Sequence, residues 1–223
     1  MTKALFIEAM IKLFSGVLLM GLFLFAPAGT IHYPEGQLLM LILFVPMFIA
    51  GVVMMIKSPA LLKKRLNAKE KLGEQKLVVG LSVLMFIAGF VLGALSFRFN
   101  FLLLPRWVSR VGCVSFLIAY FLYALVLREN EFLSRTIEVQ ENQRVVDTGL
   151  YGIVRHPMYS ATILLFLSMP LILRSLPSLI VFLVYPALII ARLRSEEAFL
   201  EENLEGYTQY KQKVLWRLIP FIW

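Results

Sequence analysis

The chain has one cysteine, two histidines and few charged residues among its 223 positions. The single cysteine, Cys113, excludes an intrachain disulfide and the paired spacing of a zinc site, so we expect it to serve packing. The sequence has no Gly-x-Gly-x-x-Gly motif and no alternating strand pattern, which excludes the usual sheet-based nucleotide site. Charged residues make up 16% of the chain and hydrophobic residues 60%, which excludes an ordinary soluble domain.

Four charge-free runs dominate the first part of the chain, at residues 13–30, 36–56, 77–97 and 111–127. A helix rises ~1.5 Å per residue, so roughly 20 apolar residues cross ~30 Å of hydrocarbon. A signal peptide is a poor interpretation of the first run, because another apolar run follows it instead of a soluble domain. We therefore predict four transmembrane helices in an N-terminal membrane region, residues 1–127.

A fifth apolar segment, residues 158–191, carries one charge, Arg174, near its middle. A single crossing would place the two polar ends of this segment on opposite sides of the membrane, whereas a fold-back at Arg174 would bring them together. Pro170 and Pro177 flank that point, where a missing backbone N–H is least costly. Each arm would be slightly short of a full crossing. The pattern favours a helical hairpin.

Basic residues are distributed unevenly between alternate loops. Seven of them lie in residues 57–76 and none in residues 28–35. With a hairpin, 18 of the 22 Lys and Arg residues fall on one side of the membrane, which the positive-inside rule makes the cytoplasm. The net charge of +8 therefore reflects membrane topology and not nucleic-acid binding. We predict an all-α polytopic integral membrane protein with four transmembrane helices, a C-terminal helical hairpin and a cytoplasmic interfacial C-terminal helix.

Gly89 and Gly93 lie on one face of the third predicted helix, where they allow another helix to approach closely. We interpret this face as intramolecular packing in preference to a dimer interface. The expected oligomeric state is a monomer or a weak homodimer.

A polar stretch, residues 128–146, precedes the motif Gly149-Leu-Tyr-Gly-Ile-Val-Arg-His-Pro-Met-Tyr159. Long ordered connections are often functional. Pro157 suits the first turn of a helix. His156 would precede that turn as a partly exposed, cap-like residue whose ring can donate or accept a hydrogen bond. An interfacial belt of anchoring residues would explain the same pattern without any chemistry.

A second polar cluster follows the hairpin. Arg192 and Glu196 are four residues apart and Arg194 and Glu197 are three apart, so each pair shares a helix face. Surface salt bridges would explain these pairs. However, the helix emerges directly from the bilayer, where ionised groups are costly unless they are paired or used.

The chain beyond the hairpin remains polar. Residues 201–213 predict a polar helix, and the tail that follows carries Trp216 and Trp223, which suit the membrane interface. Residues 128–223 thus form a C-terminal region that contains both polar clusters.

The two clusters together resemble the isoprenylcysteine carboxyl methyltransferase family of integral membrane methyltransferases. The resemblance rests on Gly-x-Tyr-x-x-x-Arg-His-Pro-x-Tyr, the hairpin, Arg-x-x-x-Glu-Glu-x-x-Leu and Tyr-x-x-Tyr-Lys before a late proline. It covers residues 140–220, with weaker similarity at residues 58–65, and phospholipid methyltransferases share a looser version of the pattern. Departures lie at Tyr207, one residue closer to Glu197 than in typical members, and at the displaced Gly206.

The resemblance implies S-adenosyl-L-methionine as cofactor, held on the cytoplasmic side by the C-terminal half. It implies a lipid-like or prenylated methyl acceptor, and a multi-pass protein of a bacterial inner membrane with both termini and the active site in the cytoplasm. By motif, Arg192, His156 and Tyr159 would be catalytic, with Arg192 facing the acceptor. The residues that would line the cofactor site are Gln140, Gln143, Arg144, Val145, Val146, Tyr151, His156, Pro157, Met158, Tyr159 and Glu196.

The chemistry of these residues is compatible with methyl transfer, which depends mainly on positioning. A carboxylate acceptor needs no general base but does need a cation such as Arg192. Glu196 could pair with the ammonium of the cofactor, and His156 could hydrogen-bond its carboxylate. An amine or thiol acceptor would need deprotonation, for which His156 and Tyr159 are the nearby candidates.

Other interpretations stay open at this point. A phospholipid or amine N-methyltransferase and a thiol S-methyltransferase fit the same pattern. Membrane-bound sterol-type reductases, which bind NADPH, share a similar C-terminal arrangement, although this chain has no evident basic cluster for the 2′-phosphate. A non-catalytic membrane scaffold is the third class. Beyond the acceptor, the expected partners are membrane lipids and not nucleic acid.

Overall fold

The computed structural model describes residues 3–66, 73–134 and 136–223. Lys69, Lys71 and Arg135, which belong to the predicted basic and polar segments, lie outside the described residues. Within the described ranges the chain is helical and contains no β-strand. The helices are α1 (Lys3–Ala28), α2 (Pro34–Lys57), α3 (Pro59–Leu66), α4 (Gly73–Phe99), α5 (Arg106–Glu129), α6 (Pro157–Ile172), α7 (Leu176–Phe182), α8 (Tyr185–Asn203) and α9 (Tyr207–Lys213), with a 3₁₀ turn at Gly149–Gly152.

Five helical segments of the described chain are long and apolar enough to cross a membrane: Lys3–Ala28, Pro34–Lys57, Lys76–Phe99, Arg106–Glu129 and Leu176–Asn203. Large apolar side chains on these helices are exposed, and a surface of this kind requires a hydrocarbon solvent. The predicted all-α polytopic membrane architecture is confirmed. The last span joins α7 and α8 into one arm of the hairpin, whose other arm is the shorter α6.

The two glycines of α4 pack within the molecule. A Cβ atom at Gly89 would lie 2.3 Å from the ring of Phe182, and one at Gly93 would lie 2.8 Å from Leu173 Cδ1. Both neighbours belong to the hairpin, so the glycines let α4 approach it closely. The predicted intramolecular role of this small-residue face is confirmed.

The hairpin turns at Arg174, as the sequence predicts. Arg174 has a left-handed φ of +57°, and Ser175 caps α7 by accepting a hydrogen bond from Ser178 N. Buried hydroxyls hold the turn against the other helices: Ser96 Oγ lies 2.8 Å from Ser175 Oγ, and Ser109 Oγ donates to Ile172 O at 3.0 Å. The turn is therefore built into the helix bundle.

Arg174 is neutralised at the end of the bundle opposite the two polar clusters. Its Nη1 lies 2.9 Å from Glu35 Oε1, and its Nε donates to Leu104 O at 2.9 Å. These partners explain how one charge is tolerated midway through an apolar segment.

The C-terminal part differs from the prediction of one continuous polar helix. The chain breaks after Asn203, and Gly206 takes a left-handed φ of +84° before α9 begins. The tail beyond Lys213 is not helical. Its residues fold back towards the start of α6, while Leu215, Phe221 and other apolar side chains remain exposed.

Candidate active site

The Arg-His-Pro segment enters α6 as a buried corner. Pro157 occupies the first turn of α6, and His156 is its N-cap residue without a side-chain capping bond. The expectation that His156 is partly exposed is wrong, because only 6% of it is accessible. The reason lies in the residues around it: the hairpin's second arm, α9 and the tail all pack over this corner.

Glu197 gathers three basic side chains around one buried carboxylate. Its Oε1 lies 2.7 Å from Arg155 Nε and 3.2 Å from His156 Nε2, and its Oε2 lies 2.9 Å from Arg217 Nε. The side chain of Glu197 is 4% exposed. Because a buried charge needs compensating partners, this arrangement joins the two arms of the hairpin and the tail at one point. Glu197 forms these ion pairs instead of the predicted surface pair with Arg194.

The tail supplies backbone acceptors to the same corner. The N–H groups of Arg155 and His156 donate to Trp216 O at 2.8 Å and Arg217 O at 3.0 Å. The Arg155 guanidinium donates to Val214 O and Leu215 O, at 2.8 and 2.9 Å. The tail thereby satisfies buried donors that precede α6 and cannot be paired within it.

Tyr159, one turn into α6, connects Arg192 with Glu196. Its hydroxyl accepts a hydrogen bond from Arg192 Nε at 3.0 Å and donates one to Glu196 Oε2. The side chains predicted to act on the acceptor and on the cofactor thus meet at one phenol. This arrangement exists only because the hairpin returns α8 to the level at which α6 begins.

The segment between α5 and the 3₁₀ turn forms the front wall of the site. Asn130 begins it, donating through Nδ2 to Tyr151 Oη at 3.0 Å and accepting from Phe132 N at 2.9 Å. Gln140 Nε2 donates to Phe132 O at 2.6 Å, and Gln143 Oε1 accepts from Gln140 N at 2.8 Å. Side-chain to backbone bonds therefore give shape to a connection without regular secondary structure.

These elements surround one cavity of about 840 Å³, counting the part open to solvent. Ten of the twelve predicted site residues line it: Gln143, Arg144, Val145, Val146, Tyr151, His156, Met158, Tyr159, Arg192 and Glu196. The other two lie beside it, since Gln140 braces the front wall and Pro157 is buried in the first turn of α6.

Sequence reasoning missed other lining residues. Arg155 was noticed only as part of the motif, and its pairing with Glu197 was not expected. The cavity is also lined by Asn130, Phe132, Leu133, Ser134, Thr136, Ile137, Glu138, Leu200, Leu204, Tyr207 and Tyr210. The three-residue spacing of Tyr207 and Tyr210 on one helix face is the signal that could have identified that pair.

Two tyrosines of α9 close the rear of the cavity as neutral hydroxyls. Burial raises the pKa of Tyr207, and the negative charge of Glu197 raises it further. Its hydroxyl lies 3.5 Å from His156 Nε2. Burial also raises the pKa of Tyr210, whose hydroxyl donates to Tyr151 O at 2.8 Å.

The chemistry of the walls fits an amphiphilic zwitterion such as S-adenosylmethionine. The carboxylate of Glu196 suits an ammonium, and the guanidinium group of Arg144 suits a carboxylate. Apolar side chains, including Leu133 and Leu204, provide surfaces for an aromatic ring.

Comparison with known proteins identifies related families. The sequence model of the phospholipid methyltransferase family matches residues 107–206, which contain α5, the front wall and both hairpin arms. No curated protein sequence matches the chain. Among solved structures, the chain is similar to the eukaryotic intramembrane Ras methyltransferase ICMT (isoprenylcysteine carboxyl methyltransferase). The TM-score is 0.51 and the identity 17%, covering 96% of this chain and 84% of that chain.

The similarity at this identity shows a shared fold. Together with the family match, it confirms the resemblance to the isoprenylcysteine carboxyl methyltransferase-like family that the sequence predicts. The two findings support a membrane methyltransferase.

Proposed function

We propose that this protein is an S-adenosylmethionine-dependent methyltransferase that modifies a lipid-like acceptor at the cytoplasmic edge of the membrane. The favoured reaction is carboxyl O-methylation of a prenylated cysteine. The observation that carries the proposal is the junction of Arg192 and Glu196 at the hydroxyl of Tyr159, inside one cavity. An anchor belt or a set of surface salt bridges would not require the residues at the two ends of the hairpin to converge in this way.

The cofactor would lie between the front wall and α8. Glu196 would hold its ammonium, while Val145, Val146 and Tyr151 would contact its apolar and ring portions. His156 has Nε2 directed at Glu197, so its contribution is to fix this corner of the cavity. When bound, S-adenosylmethionine supplies a methyl group on a positively charged sulfur.

Arg192 would orient the acceptor. A carboxylate is already a nucleophile, so the protein needs to position it without removing a proton. The planar guanidinium can hold both carboxylate oxygens, and the bond to Tyr159 fixes its direction. A lipid-like acceptor would keep its chain in the bilayer and place only its head group in the cavity.

A second candidate is amine N-methylation of a phospholipid, which the family match favours. An amine must lose a proton before it can attack a methyl group. Glu196 is a carboxylate next to Tyr159 and would be the group that receives this proton. The two reactions therefore place different demands on Glu196.

The orientation follows from the basic residues. Those of α3, the front wall and α8–α9 lie at the end of the bundle that holds the cavity, and the positive-inside rule assigns that end to the cytoplasm. The proposal places both termini in the cytoplasm of a bacterial cell, with the protein acting as a monomer or weak homodimer among membrane lipids.

The first test is cofactor binding by isothermal titration of detergent-purified protein with S-adenosylmethionine and, separately, NADPH. The proposal expects binding of S-adenosylmethionine alone, weakened roughly tenfold or more in Glu196→Gln by loss of a charged hydrogen bond. Glu202→Gln, an exposed change on the same helix, is the matched control and should bind normally. Binding of NADPH alone would indicate a reductase, and binding of neither would indicate a scaffold.

A further inference from the structure

Arg65, near the end of α3, closes the segment of weaker similarity at residues 58–65 and contacts two residues that line the cavity. Its Nη1 donates to Ser134 O at 3.2 Å and lies 3.8 Å from Met158 Sδ. Its Nη2 donates to the hydroxyl of Tyr123, and the guanidinium carbon lies 5.6 Å from the centre of that ring. Ser134 and Met158 both line the cavity, so the cation stands directly behind two of its wall residues.

All partners of Arg65 in the described part of the chain are neutral. They are a backbone carbonyl, a phenol and a thioether, and the residue is half-buried. Nearby carboxylates have other partners: Glu197 is paired with Arg155 and Arg217, and Glu196 accepts from Tyr159. A partly desolvated cation without a counterion is unfavourable. An anionic ligand in the cavity would supply the negative charge that the partners of Arg65 among the described residues lack.

The position of α3 determines which ligand that is. Leu61 and Leu62 are buried against the bundle, whereas Lys63 is exposed. Arg65 thus stands behind the wall residues Ser134 and Met158, on the side of α3 and α5, and Arg192 lines the cavity from α8. A head group entering from the bilayer would pass between them.

Resting on the proposed function, we propose that Arg65 is a specificity-determining residue that binds, together with Arg192, an anionic head group on the methyl acceptor. The shared chemistry is a carboxylate or a phosphate on a lipid. A prenylated cysteine offers the first, and a phospholipid offers the second. Guanidinium groups suit both because their planar donors match two oxygens at once.

The experiment uses two matched pairs of probes with full-length protein in detergent. N-acetyl-S-farnesylcysteine is compared with its neutral methyl ester, and dioctanoyl phosphatidylethanolamine with neutral dioctanoylglycerol. The variants are Arg65→Gln and Arg65→Lys, with Lys63→Gln as the control, because it makes the same change at an exposed position of the same helix. Affinity for S-adenosylmethionine is measured in parallel on every sample.

Wild-type protein should bind the carboxylate- or phosphate-bearing member of at least one pair more tightly than its partner, and the pair concerned identifies which of the two groups is recognised. Arg65→Gln should weaken that binding roughly tenfold while leaving the neutral probe and the cofactor unaffected. Arg65→Lys should give a smaller loss of the same selectivity, because lysine keeps the charge but not the fork. If Arg65→Gln does not fold, the selectivity of Arg65→Lys between the paired probes tests the inference.

Three results would overturn the inference: equal binding of acid and neutral probes by the wild type, equal weakening of both by Arg65→Gln, or unchanged selectivity in the variants. Failure of the proposed function is a separate result, namely wild-type protein that does not bind S-adenosylmethionine. A normal cofactor affinity with selectivity that is independent of Arg65 would refute only the role given to this arginine.

Discussion

Arg155 Nε lies 2.7 Å from Glu197 Oε1, and this buried ion pair fastens the residue that leads into one hairpin arm to the other arm. The two residues are 42 positions apart in the chain. Because His156 and Arg217 share the same carboxylate, Glu197 joins both arms and the tail. The cavity depends on this contact more than on any local element.

Replacement of Glu197 with Gln should destabilise the protein strongly. Removal of one partner from a buried ion pair leaves the other charge uncompensated and typically costs about 3–5 kcal/mol. Denaturant unfolding in detergent would measure the loss, with exposed Glu202→Gln on the same helix as control. Equal unfolding midpoints for the two variants would show that Glu197 is not the fastening point.

Substitutions of Arg192 and of Glu196 should have different functional effects, although both side chains bond to the hydroxyl of Tyr159. Arg192→Lys keeps the charge but loses the planar fork, so turnover should fall roughly tenfold or more while affinity for S-adenosylmethionine stays near normal. Glu196→Gln should mainly weaken cofactor binding. Calorimetry and a membrane methylation assay would distinguish the two effects.

A pair that acts only as a structural salt bridge would behave differently. Each substitution would then cost the same small amount, and the double variant would cost no more than either single one. Full turnover in Arg192→Lys would rule out a carboxylate acceptor held by this residue. Loss of turnover in Glu196→Gln at saturating cofactor would favour the amine reaction.

The close approach of α4 to the hairpin can be tested with one methyl group. Gly89→Ala would bring Cβ to 2.3 Å from the ring of Phe182, which is fully buried and cannot easily move. Overpacking of this kind costs about 1–3 kcal/mol. Gly80→Ala on the same helix meets no atom within 4 Å and should be neutral or slightly stabilising, since alanine favours helix. Thermal unfolding that does not distinguish the two variants would argue against the packing.

Membrane orientation can be tested by labelling single cysteines in a Cys113→Ala background. Glu205→Cys should react with an impermeant maleimide only after the membrane is opened, because it lies at the end that holds the cavity. Ile31→Cys, in the loop between α1 and α2, should react in intact cells. Labelling of position 205 from outside intact cells would show that the orientation is the reverse of the proposed one. The cavity would then lie on the side of the membrane away from a cytoplasmic cofactor.

The features predicted from the sequence are those that leave a local or statistical pattern. The fold-back at Arg174 follows from proline positions and basic residues, and the close face at Gly89 follows from spacing. The geometry at Glu197 could not be predicted in the same way, because its partners lie 20 and 42 residues away. The three-residue spacing on one helix face predicted that Glu197 would pair with Arg194 instead.

The exposure of His156 was mispredicted for a related reason. A helix start at a membrane surface is usually accessible, but here backbone groups of the tail cover it. Backbone hydrogen bonds of this kind, such as that from His156 N to Arg217 O, leave no signature in side-chain identity. The role of Gln140 in the front wall was not predicted either, because its side chain bonds to the backbone of Phe132 and does not line the cavity.

The pairing of the tail with the start of α6 also sets an order for biosynthesis. Arg155 finds its carbonyl partners 60 residues later in the chain. At roughly 5–20 residues per second, a ribosome needs about 3–12 s to make that stretch. Until this stretch is complete, the corner at Arg155 lacks its backbone acceptors and the cavity lacks the rear wall that α9 provides. The cavity is therefore completed last, when residues 214–218 pack against a corner that was synthesised several seconds earlier.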